Sequence, residues 1–219
     1  MRHRDCALPS QDPTFRRPAC SASSQPSSTQ SLRDRENKQL SILSFEQGRF
    51  AYGADFALYG FAVVALSALL VLRAPHGEGL ELAATCAAGL LAWTLIEYLF
   101  HRFLLHGLSP FREWHAQHHA RPTARIASPT FFSAALLFVL VYLPGRLLFG
   151  FWVACALTLG VTAGYLAYAV AHHATHHWRP SNEWLKRNKR WHAAHHHGTG
   201  QERCFGVTNS FWDRVFGTA

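Results

Sequence analysis

Four long apolar runs limit what this chain can become. Phe56 to Leu72 carries no charge, Leu80 to Phe100 carries only Glu81 and Glu97, Ala127 to Leu143 is short but continuous, and Leu147 to Ala171 is apolar for 25 residues. A helix crosses a bilayer with about 20 mostly apolar residues, within a range of about 17 to 25. Pro144, Gly145 and Arg146 separate the last two runs and predict a turn there. Four such runs cannot all be the buried helices of a soluble domain, because a chain of 219 residues with only 16% charged residues has too little polar sequence to cover them. The predicted fold class is all-α: an integral membrane bundle of about four transmembrane helices, arranged as two hairpins.

The charge pattern orients that bundle. Basic residues outnumber acidic ones 21 to 13, and nineteen of those 21 lie before the first run, between the second and third, or after the fourth. Only Arg73 and Arg146 fall in the two short turns. Cytoplasmic loops carry the lysine and arginine excess, so both termini and the long central connection are predicted to be cytoplasmic, in a bacterial inner membrane or the endoplasmic reticulum. Anionic headgroups then account for the net charge of +8, and no nucleic-acid partner is needed. Five cysteines, with no CxxC pair, support neither a disulfide framework nor a thiolate metal site.

Residues 1–44 hold nine serines and four prolines with almost no apolar periodicity, which predicts a disordered Ser/Pro/Arg-rich tail. Its arginine and serine content is that of an organelle transit peptide, and a start codon placed too far upstream explains it equally well. Residues 45–219 form the predicted membrane domain.

Fifteen histidines are the second constraint, and thirteen of them fall within 101–119, 172–177 and 192–197. HRFLLH holds His101 and His106; HAQHH holds His115, His118 and His119; HHATHH holds His172, His173, His176 and His177; HAAHH holds His192, His195 and His196, followed by His197. Three of these share an i, i+3, i+4 spacing, which places imidazoles on one helix face within reach of one metal or an adjacent pair. His101 and His106, five apart, do not share a face on a regular α-helix, so a helix end near Gly107 is predicted to turn His106 back. Two spans separate HAQHH from HHATHH, so all four clusters reach the same membrane face. There they form a histidine-rich helical cap on the cytoplasmic side.

So many imidazoles exceed the four ligands of one structural zinc, and two metals is the simpler account. Carboxylates are scarce, with only Glu97 and Glu113 near the first two clusters, unlike the Glu-rich di-iron sites of ferritin-like bundles. Glu97, one turn before His101, either accepts that ring's spare N–H or faces water at the membrane edge. No HExxH motif recommends zinc hydrolysis. A pair of irons can instead use dioxygen on an unactivated C–H bond, and a membrane site implies an apolar substrate.

These four clusters, in this order around a hairpin of spans, resemble the histidine boxes of the fatty acid hydroxylase and sterol desaturase superfamily. The tail is similar too: Leu185 and Lys186 precede the last box, and Phe205-Gly206-Val207-Thr208 and Trp212-Asp213 through Phe216-Gly217-Thr218 follow it. The resemblance covers about residues 55–219. It implies a membrane oxidoreductase that hydroxylates or desaturates a lipid with O2, two non-haem Fe ions (zinc can replace them in purified protein) and electrons from a separate cytochrome b5-like or ferredoxin-like protein. Carried over, the metal ligands are His101, His106, His115, His118, His119, His176, His177, His192, His195 and His196, with His172 and His173 both kept because either fits the third box. Ala169 and Ala124 stand where such enzymes commonly carry aspartates, which bears on substrate and reaction rather than on metal. Alternatives are a carotenoid hydroxylase or lipid desaturase of the same histidine-box type and, from another class, a metal transporter. Transport calls for ionisable groups at mid-span, whereas Asp55, Glu81 and Glu97 lie near the ends of their runs.

Overall fold

The computed structural model describes residues 46–126, 130–197 and 202–219; the tail expected over 1–44 lies outside them. Helix α1 spans Arg49–Arg73. Helix α2 spans Gly79–Leu99 and continues as a π-helical segment, Phe100–Leu105. The short α3, Phe111–Ala120, leads to α4, Thr130–Leu137, which passes through a second π segment at Phe138–Tyr142 into α5, Leu143–Phe149. Helix α6, Phe151–His177, is followed by α7, Glu183–His196, and by α8, Phe211–Val215. Four of these stretches are long and apolar enough to cross a membrane: Arg49–Arg73, Gly79–Leu105, Thr130–Phe149 and Phe151–His177. The protein is an all-α, multi-pass membrane protein with no β-strand among the described residues, as its apolar runs predict.

Large side chains such as Phe61, Val64, Leu91, Phe131 and Leu140 are exposed on the spans. In water that surface would be an aggregation hazard; facing acyl chains it is the expected covering of a membrane bundle. Without a hydrophobic drive between spans, close packing must hold them together. Helices α2 and α6 achieve it through glycine: a Cβ at Gly160 would stand 2.0 Å from the Cys86 carbonyl oxygen, and one at Gly164 would stand 2.4 Å from the Trp93 side chain. Helix α1 joins through the Tyr59 hydroxyl, 2.7 Å from Ser133 Oγ on α4, and through its ring, edge-on to Tyr165 of α6.

The break between the third and fourth spans is not at Pro144 to Arg146. The helix runs on to Phe149 and ends at Gly150, whose φ of +88° is a conformation that favours glycine. Pro144 lies inside this continuous helix, directly after the π segment Phe138–Tyr142, whose wider turn accommodates its missing N–H. The reversal is tight, since a Cβ on Gly145 would stand 3.3 Å from the Ala154 Cα.

Candidate metal centre and lipid cavity

The π segment after α2 sets up the first imidazoles. Its i→i+5 bonding, seen in the His106 N–H donating to the His101 carbonyl at 3.2 Å, widens the turn. Residues five apart are thereby brought toward one face, and the two rings lie 5.2 Å apart. The wide turn, more than the predicted helix end, aims His106 inward.

Helix α3 follows with His115, His118 and His119, and α7 supplies His192, His195 and His196. Each helix divides its cluster between two sites. His101, His106, His115, His119 and His195 form one group; His118, His172, His176, His192 and His196 form the other; within each, one ligand nitrogen per ring lies within 4.8 Å of all the others. In the first group, His115 Nε2 is 3.0 Å from both His101 Nε2 and His119 Nε2, and His106 Nε2 is 3.0 Å from His195 Nε2. In the second, His172 Nε2 is 3.0 Å from His118 Nε2 and 3.2 Å from His176 Nε2, while His192 Nε2 is 2.8 Å from His176 Nε2 and 3.0 Å from His196 Nε2. The groups abut where the His119 and His196 rings stack with centroids 4.2 Å apart. His118 precedes the third span and His172 ends the fourth, so their contact shows that this pair of spans returns the chain to the face it left.

Of the twelve histidines expected at the site, ten fall in these groups and His173 and His177 do not. Each follows a grouped residue, and one step along an α-helix turns about 100° away from that residue's face. The two rings stack on each other instead, 4.4 Å apart, with His173 Nδ1 3.1 Å from the Tyr52 hydroxyl. His197 is exposed just beyond α7.

Glu97 does not accept the spare N–H of His101. Its Oε1 takes the Val207 and Thr208 N–H groups at 2.7 and 2.8 Å, and its Oε2 takes the Thr208 hydroxyl at 2.6 Å. A second buried carboxylate, Asp213, accepts the Phe205 and Gly206 N–H groups at 2.8 Å each and the Thr218 hydroxyl at 2.8 Å. The segment held by these two acids supplies the partners of the rings: His101 Nδ1 donates to the Phe205 carbonyl, and His195 Nδ1 donates to the Arg203 carbonyl at 2.7 Å. The tail pattern after the last box is thus the clasp that orients the first group. Asp213 was legible only as part of that pattern, and its role needed the fold.

Those carbonyls decide whether the site suits a metal. A carbonyl accepts only, so Nδ1 of His101 and His195 carries the proton and each Nε2 turns a lone pair inward. Lone pairs held together need a cation between them. Two nitrogens each about 2.1 Å from one ion and at right angles stand about 3.0 Å apart, the spacing that recurs in both groups. Burial also keeps the rings neutral: it pushes His106 down to about 4, with help from His195, and His119 and His196 down to about 3. His115 and His192 are held well below the ordinary imidazole value, by burial first and neighbouring rings second. Both groups fit metal ions.

A cavity of about 510 Å³ opens beside them, lined by His101, His115, His118, His172 and His176 at one end and by Leu104, Phe132, Leu136, Leu140 and Val161 elsewhere. Ala124 and Ala169 also line it, so the two departures from the expected aspartates fall on the cavity. An apolar channel ending on paired ligand clusters can present one carbon of an acyl chain to metal.

The fatty acid hydroxylase family model matches residues 86–218. A dihydroceramide fatty acyl 2-hydroxylase of Arabidopsis thaliana is 35% identical over 161 residues, 68% of this chain and 67% of that protein. A ceramide very long chain fatty acid hydroxylase of Schizosaccharomyces pombe is 34% identical over 59% of this chain and 40% of its own length, and a fatty acid 2-hydroxylase of Rattus norvegicus is 33% identical over 59% and 38%. The chain therefore spans about two thirds of the plant relative and about two fifths of the other two. Among solved structures, the visible hydroxylase domain of full-length scs7p superposes with a TM-score of 0.66 at 26% identity, covering 77% of this chain and 66% of that one.

Proposed function

The chain belongs to the fatty acid hydroxylase family, and from that premise we propose that it hydroxylates a C–H bond of a fatty acyl chain or related lipid, using O2. The observation that carries the proposal is the pairing of two five-imidazole groups with an apolar cavity that ends on them. His101, His106, His115, His119 and His195 would hold one iron, and His118, His172, His176, His192 and His196 the other. Two irons held by these neutral imidazoles would supply the activation of dioxygen that no protein side chain provides.

The chain's own residues do the rest. Glu97 and Asp213 fix the clasp, and the Phe205 and Arg203 carbonyls hold His101 and His195 in the tautomer that turns Nε2 inward. The leucines and Phe132 exclude water from the acyl chain and hold it against the imidazole end. Electrons would come from a cytochrome b5-like or ferredoxin-like donor that docks at the face carrying the histidine helices. The family match, together with the FGVT and WDRVFGT segments in the clasp, favours acyl hydroxylation over carotenoid hydroxylation. Lipid analysis of cells expressing the wild type and His195→Ala tests the proposal. A hydroxylated lipid present only with the wild type is expected. Identical lipid profiles from cells that express wild type and variant at equal, folded levels would overturn it.

A further inference from the structure

Helix α7 serves both imidazole groups: His195 belongs to the first, and His192 and His196 belong to the second. Its inner face meets the ends of two spans, with His192 Nε2 2.8 Å from His176 Nε2 on α6 and His195 Nε2 3.0 Å from His106 Nε2 just beyond α2. The helix therefore lies across the end of the bundle, and its opposite face points away from the spans. At about 100° per residue, Lys186, Arg187, Arg190, Ala193 and Ala194 share that outer face, and all five are exposed. Lys186 is paired with Glu183 at 2.7 Å, whereas Arg187 and Arg190 pair with no acid among the described residues. Helix α3 also serves both groups, but its exposed Arg112 is paired with Glu113 at 3.0 Å, and Arg121 at its end is paired with Glu46 at 2.9 Å. Beside the two free guanidinium groups, Ala193 and Ala194 stand between the ligands His192 and His195, so nothing longer than a methyl group covers α7 there. A helix with its side chains is about 10 to 12 Å across, so a protein resting on those alanines stands within about one helix width of the ligand rings.

We propose that the outer face of α7 is the docking surface for an acidic one-electron carrier protein. Arg187 and Arg190 pair with carboxylates at the rim of the carrier's redox group, and the bare alanine turn lets that group approach ligands of both imidazole groups through one helix. The reaction requires such a supply. One C–H bond and one O2 become one C–OH and one water only with two electrons and two protons, so two reduced carriers are each oxidised by one electron per turnover and the protons come from solvent. Anionic headgroups also attract exposed arginines. A helix that caps the bundle end, however, turns this face away from the bilayer, where a soluble partner reaches it and charge complementarity guides the encounter.

The assignment rests on the hydroxylase reading and adds where the donor docks and with what charge. Titrating the iron-loaded full chain in phosphatidylcholine nanodiscs with a net-negative cytochrome b5 haem domain, and separately with a net-negative plant-type ferredoxin, tests it. The wild type is expected to bind at least one of them at low ionic strength and to lose affinity as salt rises. Arg187→Glu combined with Arg190→Glu should weaken that binding about tenfold at unchanged metal content, and Arg187→Lys combined with Arg190→Lys should retain it within about threefold. Ala194→Trp, which adds bulk without charge, should slow oxidation of the bound carrier, read from the absorbance of its reduced form. Equal binding by the wild type and the charge-reversed chain would overturn the assignment, as would binding of neither carrier by the wild type or unslowed oxidation in Ala194→Trp. Carrier binding intact in the charge-reversed chain, with loss of co-purifying phosphatidylglycerol in native mass spectrometry, would also overturn it and give the face to lipid headgroups. A carrier that binds through these arginines and is oxidised by the chain, while no lipid is hydroxylated, would leave the surface standing and sink the hydroxylase reading alone.

Discussion

His101 and His195 each commit one ring nitrogen to a backbone carbonyl, and both carbonyls belong to a segment anchored by Glu97 and Asp213. Removing an anchor should therefore act on the first imidazole group and spare the second. Asp213→Ala is predicted to weaken metal binding in the first group by about 10-fold to 100-fold, read as substoichiometric metal per chain under chelator competition. His173→Phe and His177→Phe are predicted to leave metal content at the wild-type level, whereas His172→Ala lowers it; equal losses in all three would contradict the geometry. The sequence displays which residue types cluster, but two features of single residues were out of its reach. The choice between His172 and His173 depends on how α6 is rotated about its axis, which neighbouring helices set. The partners of Glu97 lie more than a hundred residues away, and a spacing argument finds only nearby ones.

On the scale of helices, HRFLLH needs its π segment. Deleting Phe103 brings His101 and His106 four apart, a spacing that shares one face on a regular α-helix, so the deletion is predicted to straighten the π segment while the first group keeps its metal. Loss of that metal in the deletion would show that the wide turn itself, and not only the shared face, is required. The α2 and α6 interface is similarly specific: Gly160→Ala would press a methyl group onto the Cys86 carbonyl, a backbone atom that cannot step aside. Overpacking of this kind costs about 1 to 3 kcal/mol and should lower the thermal unfolding midpoint in detergent. The existence of four spans was legible because a 20-residue apolar run has few other uses in a chain this small. The boundary at Gly150 was not, because Pro144 carries the stronger turn signal and the π segment that accommodates it has no sequence signature.

Taken as a whole, the molecule buries a dense set of neutral imidazoles at one end of a membrane bundle, and its stability should depend on pH accordingly. Burial holds His106, His119 and His196 well below the ordinary imidazole value in the fold, so between about pH 6.5 and about pH 3 the unfolded chain binds more protons at these rings than the folded one. Stability of the metal-free protein is predicted to be flat above about pH 7 and to fall as the pH drops through that window, seen as a declining unfolding midpoint; a midpoint that rises on acidification would contradict it. The return of both hairpins to one face was legible from counting spans, and it is what lets α3 and α7 each serve both groups. The central claim is that these imidazoles hold two neighbouring metal ions beside the lipid cavity. Anomalous diffraction at the iron edge from crystals of the iron-loaded protein tests it most directly. Two peaks are predicted, one among His101, His106, His115, His119 and His195 and one among His118, His172, His176, His192 and His196. A single peak, or iron bound away from both groups, would contradict the account.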